Sequence, residues 1–140
     1  MRKSLILLAS VLSVWAAVSC AGNKDLELEV VPVPSHVEFL KGKCDIGNGI
    51  MVVASDSLLL PAASYLESSL GSVCSLAGGA VPVCLAVDTA LTSAVGYRLD
   101  IRNDGIDIAG GSYEGVISGI ATLRQLLWGG RQSLPQMKIE

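Results

Sequence analysis

The chain has 140 residues, of which 51% are hydrophobic and 16% are charged, and its formal net charge is −3. This length suffices for one domain with a single core. Residues 20–140 keep eight of the ten basic side chains and all 13 acidic ones, so the composition argues against a basic surface that binds nucleic acid.

The first 19 residues have the pattern of a secretory signal peptide. Two basic residues at the start precede an apolar stretch over 5–14, and small residues follow. The sequence Ala-Val-Ser-Cys at 17–20 is typical of a bacterial lipoprotein, with Cys20 as the lipidated new N-terminus; an ordinary signal peptide that contains a cysteine is the alternative. We therefore expect export to the periplasm or the outer-membrane surface, with attachment to the membrane through a lipid anchor.

A polar tether and an extended entry segment follow the signal peptide. Residues 20–29 are polar and charged, as in a linker between the lipid and the fold. The domain itself is predicted to span 30–140. Residues 30–40 contain two prolines, which suit an edge or entry strand, and the Lys-Gly-Lys sequence at 41–43 predicts a turn.

A short strand and a helix come next in the chain. Asn-Gly at 48–49 predicts a turn before a buried strand over 50–54. The helix should start one or two residues before Pro61, because proline is tolerated only in the first turn, and it should end at Gly71. Its apolar stripe is formed by five residues: Leu59, Ala62, Ala63, Leu66 and Leu70.

The alternation of residue types then predicts a strand and a hairpin. A mostly apolar strand is expected over 81–87. Apolar and polar residues alternate with a period of two over 97–101 and again over 106–108. The intervening Asn-Asp-Gly at 103–105 predicts the turn, since these residues tolerate positive φ.

The most regular helical pattern follows the hairpin. Ser112 is a suitable N-cap, and Gly129 and Gly130 end the helix. Its apolar residues recur at steps of three and four: Tyr113, Val116, Ile120, Leu123 and Leu127. A last strand is expected over 134–139. The order of elements predicts an α/β (α+β) fold, a small mixed β-sheet with two helices packed on one face.

The letters of several segments resemble the non-catalytic N-terminal domain of glycoside hydrolase family 20, the β-N-acetylhexosaminidases. The resemblance rests on Tyr-Arg-Leu at 97–99, Asp-Gly-Ile at 104–106 and Thr-Leu-Arg-Gln-Leu-Leu at 122–127. The Pro-x-Pro, Val-Glu and Gly of the entry segment, within 32–42, fit the family as well. The resemblance covers roughly residues 30–139. It implies the same α/β layout and a catalytic barrel as the partner domain.

The resemblance also implies a chemistry that this chain does not carry. Family 20 enzymes use the substrate's own 2-acetamido group as the nucleophile, supported by an adjacent Asp-Glu pair in which Asp orients the acetamido group and Glu is the general acid. The sequence contains no Asp-Glu dipeptide. The family's substrate-binding arginine and aromatic pocket belong to the barrel. We expect no catalytic residue here, and a product truncated before the barrel and inactive alone.

No cofactor or metal site is expected from the titratable residues. Three aspartates flank the hairpin turn, but they lack the spacing of an EF-hand loop. His36 is the only histidine, which argues against zinc. Three cysteines follow Cys20, and their pairing stays open, although buried free thiols are favoured: Cys44, Cys74 and Cys84.

The end of the last helix is the predicted contact with the catalytic barrel. Arg124 and Gln125 lie opposite its apolar stripe, and Leu127 and Trp128 supply apolar surface. The favoured hypothesis is thus an accessory domain of a β-N-acetylhexosaminidase. The alternative is a stand-alone surface lipoprotein that binds a glycan or a protein, which an aromatic content of 4% disfavours; an inert fragment is the third possibility.

Overall fold

The computed structural model describes residue 28 and residues 30–71 and 79–140. In chain order its elements are β1 (Val37–Asp45), β2 (Ile50–Ala54), α1 (Leu60–Leu70), β3 (Val81–Val87), β4 (Tyr97–Ile101), β5 (Ile106–Gly110), α2 (Tyr113–Leu127) and β6 (Ser133–Ile139). The predicted signal peptide, Cys20, most of the tether and Cys74 lie outside the described residues. Among the described helices, neither is long and apolar enough to cross a membrane.

The six strands form one mixed sheet in the order β1-β6-β4-β5-β3-β2. Neighbouring strands are antiparallel from β1 through β6 and β4 to β5, whereas β5, β3 and β2 run parallel to one another. Helix α2 packs on β4 and β5, and α1 packs on β2 and against α2. The predicted fold class, a small mixed sheet with two helices on one face, is confirmed.

The core lies between the sheet and the two helices. In β3 and β5 every second residue is buried, as expected for strands that present one face to the helices. Burial of a large aliphatic side chain contributes about 1.5–3 kcal/mol. The fully buried side chains of this layer include Ile50, Leu66, Leu85, Leu99, Ile108 and Ile120.

Two glycines let α2 lie close to the sheet. A Cβ atom on Gly115 would lie 2.4 Å from the carbonyl oxygen of Gly96. A Cβ atom on Gly119 would lie 2.5 Å from Cγ2 of Ile108. Both distances are below van der Waals contact, so larger residues would push the helix away from β4 and β5.

The predicted ends of both helices are confirmed. The Ser112 side chain accepts a hydrogen bond of 3.1 Å from the backbone N–H of Glu114 at the start of α2. Gly129 and Gly130 follow that helix with φ of +83° and +72°. Gly71 ends α1 with φ of +51°. A 3₁₀ turn at Ser57–Leu59 leads into α1.

The turn predicted at 41–43 is wrong, because β1 continues through these residues to Asp45. The chain forms a bulge instead, and the register with β6 shifts between Phe39 and Lys43. Gly42 has φ of +119°. A Cβ atom there would lie 2.6 Å from Nε2 of Gln136, so glycine accommodates both the bend and the facing side chain.

The hairpin turn is confirmed, but the reason given for it is wrong. The backbone N–H of Arg102 donates to the carbonyl of Gly105 at 2.9 Å. No residue of this turn has positive φ. The pairing of Ile101 with Ile106 leaves four residues in the loop, and loops of that length are usually built around a type I turn, which needs only negative φ.

Candidate docking surface

A groove of about 840 Å³ runs between the C-terminal half of α2 and the strands β1 and β6. We call it the α2 groove. Its floor consists of buried apolar side chains: Val30, Leu126, Leu134 and Met137. Its rim combines apolar and polar residues: Phe39, Leu70, Arg124, Gln125, Trp128 and Arg131. An apolar floor with a polar rim is the usual layout of a site that receives another molecule.

Gln125 fixes one side of the α2 groove by holding the entry segment of the chain. Its Nε2 donates to the carbonyl oxygen of Val31 at 2.9 Å. Its Oε1 accepts from the backbone N–H of the same residue at 2.8 Å. The amide of Gln125 thus takes the role of a neighbouring strand for one residue, and it ties the start of the domain to α2.

Arg124 joins the two helices. Its Nη1 donates to the hydroxyl oxygen of Tyr65 at 2.5 Å, and its Cζ lies 5.3 Å from the centroid of that ring, a cation–π contact. The sequence reasoning missed Tyr65, which lies beside the apolar stripe of α1. The available signal was a large aromatic ring at a position that the helical pattern assigns to solvent.

The end of α2 places its two apolar residues in opposite environments. Leu127 is buried in the core of the domain. Trp128 is 81% exposed, an unusual state for the largest apolar side chain of the fold. Of the four residues predicted to contact the barrel, Trp128 therefore offers apolar surface, Arg124 and Gln125 shape the groove, and Leu127 supports it from below.

The entry segment and Glu140 meet just beyond the end of β6. The backbone N–H of His36 donates to the carbonyl of Glu140 at 3.0 Å, and the N–H of Glu140 donates back at 2.9 Å. The hydroxyl of Ser35 also donates to the carbonyl of Glu140, at 2.7 Å. Residues 35–36 thus extend the pairing of β1 with β6 by one step.

The thiols of the described domain are held in their neutral form. Burial raises the pKa of the Cys44 thiol, and the carboxylates of Asp45 and Asp104 raise it further. Burial and the carboxylate of Asp107 also raise the pKa of Cys84. Both cysteines are free. A nucleophilic cysteine needs a lowered pKa, so neither thiol is suited to catalysis.

The described residues bring together no group of acidic, histidine or cysteine side chains that could hold a metal ion. Around the hairpin turn, Arg102 forms ion pairs with Asp104 and Asp107. These ion pairs neutralise Asp104 and Asp107, two of the three aspartates that flank the hairpin turn.

Comparison with known proteins identifies the family of this domain. The family model described as "Glycosyl hydrolase family 20, domain 2" matches residues 27–140. No curated protein matches the chain.

Solved structures share the fold at low sequence identity. The β-N-acetylhexosaminidase from Streptomyces coelicolor A3(2) has 24% identity and a TM-score of 0.66, over 79% of this chain and 26% of that one. The β-N-acetylhexosaminidase from Bacteroides fragilis NCTC 9343 has 20% identity and a TM-score of 0.64, over 79% and 24%. The exo-β-N-acetylglucosaminidase from Vibrio harveyi has 21% and 0.64, over 79% and 18%. The chain thus spans about a quarter or less of their length.

Proposed function

Because this chain belongs to the family of domain 2 of glycosyl hydrolase family 20, we propose that it is the non-catalytic N-terminal accessory domain of a β-N-acetylhexosaminidase. The observation that carries the proposal is the extent of the family match, which takes in all the strands and helices of the fold. Two of the structures that share this fold are named as β-N-acetylhexosaminidases.

The proposed role is to pack against the catalytic domain through the α2 groove. Trp128 supplies an exposed aromatic side chain of the kind that dominates the binding energy of many interfaces. Arg124 and Gln125 are already held by Tyr65 and by the backbone of Val31. A surface whose side chains are ordered before binding loses less entropy on association.

The domain has no hydrolytic activity of its own in this proposal. The sequence lacks an Asp-Glu dipeptide, and among the described residues that line the α2 groove, which include Arg124 and Gln125, none carries a carboxylate. Hydrolysis of a glycosidic bond needs at least a general acid. The chain would therefore contribute stability to an enzyme whose reacting groups lie in another domain.

The test is a hydrolysis assay with a chromogenic N-acetylglucosaminide. The 140-residue chain is measured alone and after mixing with a separately expressed catalytic barrel of this family. We expect no turnover by the chain alone and a higher melting temperature of the barrel in the mixture. Turnover by the chain alone would overturn the non-catalytic role. A folded chain without effect on the barrel would overturn docking and favour a separate binding function.

We further propose that the protein is exported and anchored to a membrane through a lipid on Cys20. The support is the sequence pattern of the first 20 residues, a charged start, an apolar stretch and a cysteine after small residues. Residues 20–29 would then be the tether, and the domain would stay close to the periplasmic or outer-membrane surface. Stable attachment of this kind requires more than one acyl chain.

A further inference from the structure

The two edges of the sheet differ in how they are protected. The edge strand β1 carries a bulge at Gly42, between Lys41 and Lys43. Lysines and bulges are the usual means by which proteins prevent an edge strand from pairing with another chain. The edge strand β2 lies at the other side of the sheet and has neither feature. All ten residues over 46–55 are uncharged.

Hydrogen bonds at the ends of β2 show which of its backbone groups point away from β3. The carbonyl of Gly49 accepts from Val81 at 3.0 Å. The N–H of Ser55 donates to Leu85 at 2.9 Å. Because backbone groups alternate in direction along a strand, the odd-numbered residues of β2 bond to β3. The even-numbered residues point their N–H and C=O groups outward: Ile50, Val52 and Ala54.

Apolar side chains lie along the outer edge of β2. On the sheet face away from the helices, Met51 is 38% exposed and Val53 is 40% exposed. Leu58 and Leu60, which follow β2 directly in the chain, are exposed as well. Within the part of the chain that the structure describes, β2 pairs with no strand other than β3. The edge therefore offers both unpaired backbone groups and apolar surface.

We propose that the β2 edge pairs with the β2 edge of a second copy of this chain, in an antiparallel arrangement centred on Val52. The two sheets then form one continuous sheet. In this register Val52 faces Val52, and each Ile50 faces an Ala54. These three pairs have outward backbone groups on both sides, so each pair exchanges two hydrogen bonds.

The register also fits the side chains. Met51 of one copy lies opposite Val53 of the other, which joins the exposed apolar side chains of the two copies into one strip. The only charged residue over 48–56 is Asp56, and its counterpart across the two-fold axis is Asn48. A carboxylate then faces an amide, and no like charges lie opposite each other. A pair of identical strands is self-complementary here, as a two-fold interface requires. This proposal does not depend on the accessory-domain function.

Amide hydrogen exchange of the 140-residue chain tests the pairing directly. The sample contains a mild nonionic detergent, because residues 5–14 are apolar in sequence. We expect the amides of Ile50, Val52 and Ala54 to become protected as the protein concentration rises. The amides of Met51 and Val53 bond to β3 and serve as internal controls, protected at every concentration.

Two exchange results would overturn the proposal. If the three outward amides exchange rapidly at all concentrations, the edge stays unpaired. If they are protected even in dilute monomer, another part of the same chain covers the edge. If the natural partner of the edge is a peptide and not a second copy, the three outward amides of the purified chain will show no protection that depends on concentration, which also overturns the proposal.

Two substitutions on β2 and one control give an independent measurement. Val52→Pro removes an outward N–H without touching the bonds to β3, and Val53→Lys places a charge beside the edge. The control is Val33→Lys, at an 83% exposed position in the entry segment. By sedimentation we expect at least a tenfold weaker dimer for both β2 variants and no change for the control. A dimer that survives both substitutions would overturn the proposal. If a variant fails to fold, the exchange experiment on the wild-type chain decides the question.

Discussion

The side-chain amide of Gln125 forms a donor and an acceptor hydrogen bond with the backbone of Val31, a residue 94 positions earlier in the chain. The two bonds hold the start of the domain on the surface of α2, beside the α2 groove. The amide of Gln125 thereby adds to two other attachments of the entry segment, the backbone pairing at residues 35–36 and the burial of Val30 in the core.

Replacing Gln125 with methionine should release the entry segment. Methionine keeps the length of the side chain and removes both hydrogen bonds, each worth about 0.5–1.5 kcal/mol. We expect a loss of about 1–2 kcal/mol in the free energy of unfolding and loss of exchange protection at the Val31 amide. Gln132→Met, at another exposed glutamine, is the matched control. Unchanged protection at Val31 would contradict the role assigned to Gln125.

Alanine at the two helix glycines should destabilise the domain to different extents. At Gly115 the added Cβ meets the backbone oxygen of Gly96, which cannot move without the chain. At Gly119 it meets Cγ2 of Ile108, a methyl group of a buried β-branched side chain, which yields by rotation about χ1 without a movement of the backbone. Overpacking costs about 1–3 kcal/mol, and the helix propensity of alanine offsets about 1 kcal/mol. We expect Gly115→Ala to be clearly destabilising and Gly119→Ala to be milder, measured by urea unfolding.

Ser118→Ala, on the more exposed side of the same helix, is the control for these two variants and should stay within about 0.5 kcal/mol of the wild type. If Gly115→Ala were as stable as this control, the close approach of α2 to the sheet would have to relax more easily than the distances suggest.

Trp128→Ala should weaken binding to the catalytic barrel while leaving the isolated domain folded. Truncation of a central interface tryptophan costs about 2 kcal/mol or more, which corresponds to roughly a 30-fold higher Kd. Tyr113→Ala removes an exposed aromatic ring at the opposite end of α2 and should not change the Kd. Calorimetric titration of the barrel with each variant measures the difference. Equal affinities would place the contact elsewhere on the domain.

The Cys44 thiol should make the stability of the domain depend on pH in the alkaline range. Its pKa is raised in the folded state above the ordinary value of 9.0, first by burial, so folding favours the protonated thiol. This contribution is fully present below pH 9 and is lost as the pH rises through the folded pKa. The stability difference between the wild type and Cys44→Ala should therefore shrink above about pH 9. A constant difference across that range would show that the thiolate is tolerated in the core.

Cys20→Ser should abolish lipid attachment in a bacterial expression host. The wild-type chain is expected in the membrane fraction with the mass of an acylated N-terminal cysteine, and the variant is expected without acyl groups. Mass spectrometry of the mature N-terminus distinguishes the two. Cys74→Ser controls for the loss of a cysteine. A wild-type protein that is cleaved but not acylated would favour the ordinary signal peptide.

The sequence predicts the parts of the fold that depend on neighbouring residues. Helix α2 carries a cap at Ser112, a regular apolar stripe and two glycines after its end, so its bounds follow from local chemistry. The hairpin is predicted for a similar reason. The bulge of β1 could not be predicted, because it is a shift in the register with β6, a strand that is distant in sequence and whose Gln136 faces Gly42.

The candidate site was predicted in part. Arg124, Gln125, Leu127 and Trp128 were selected from their positions on one helix, but helical periodicity does not say which side chains find partners elsewhere. The contacts with Tyr65 and Val31 cross long stretches of sequence. Leu127 is buried and Trp128 is exposed because α2 ends at Leu127, and the backbone of Trp128 leaves the helical conformation with φ of −58° and ψ of 142°.

The mutual backbone pairing of His36 and Glu140 brings the beginning and the end of the sheet of this folded unit side by side on its surface. Such a unit can be inserted into a longer polypeptide at a single site, because the flanking segments need not be moved apart. The same geometry suits circular permutation. A linker from Glu140 to Val30, with new ends opened in the four-residue hairpin loop, would preserve every strand neighbour in the sheet and the contacts of the entry segment.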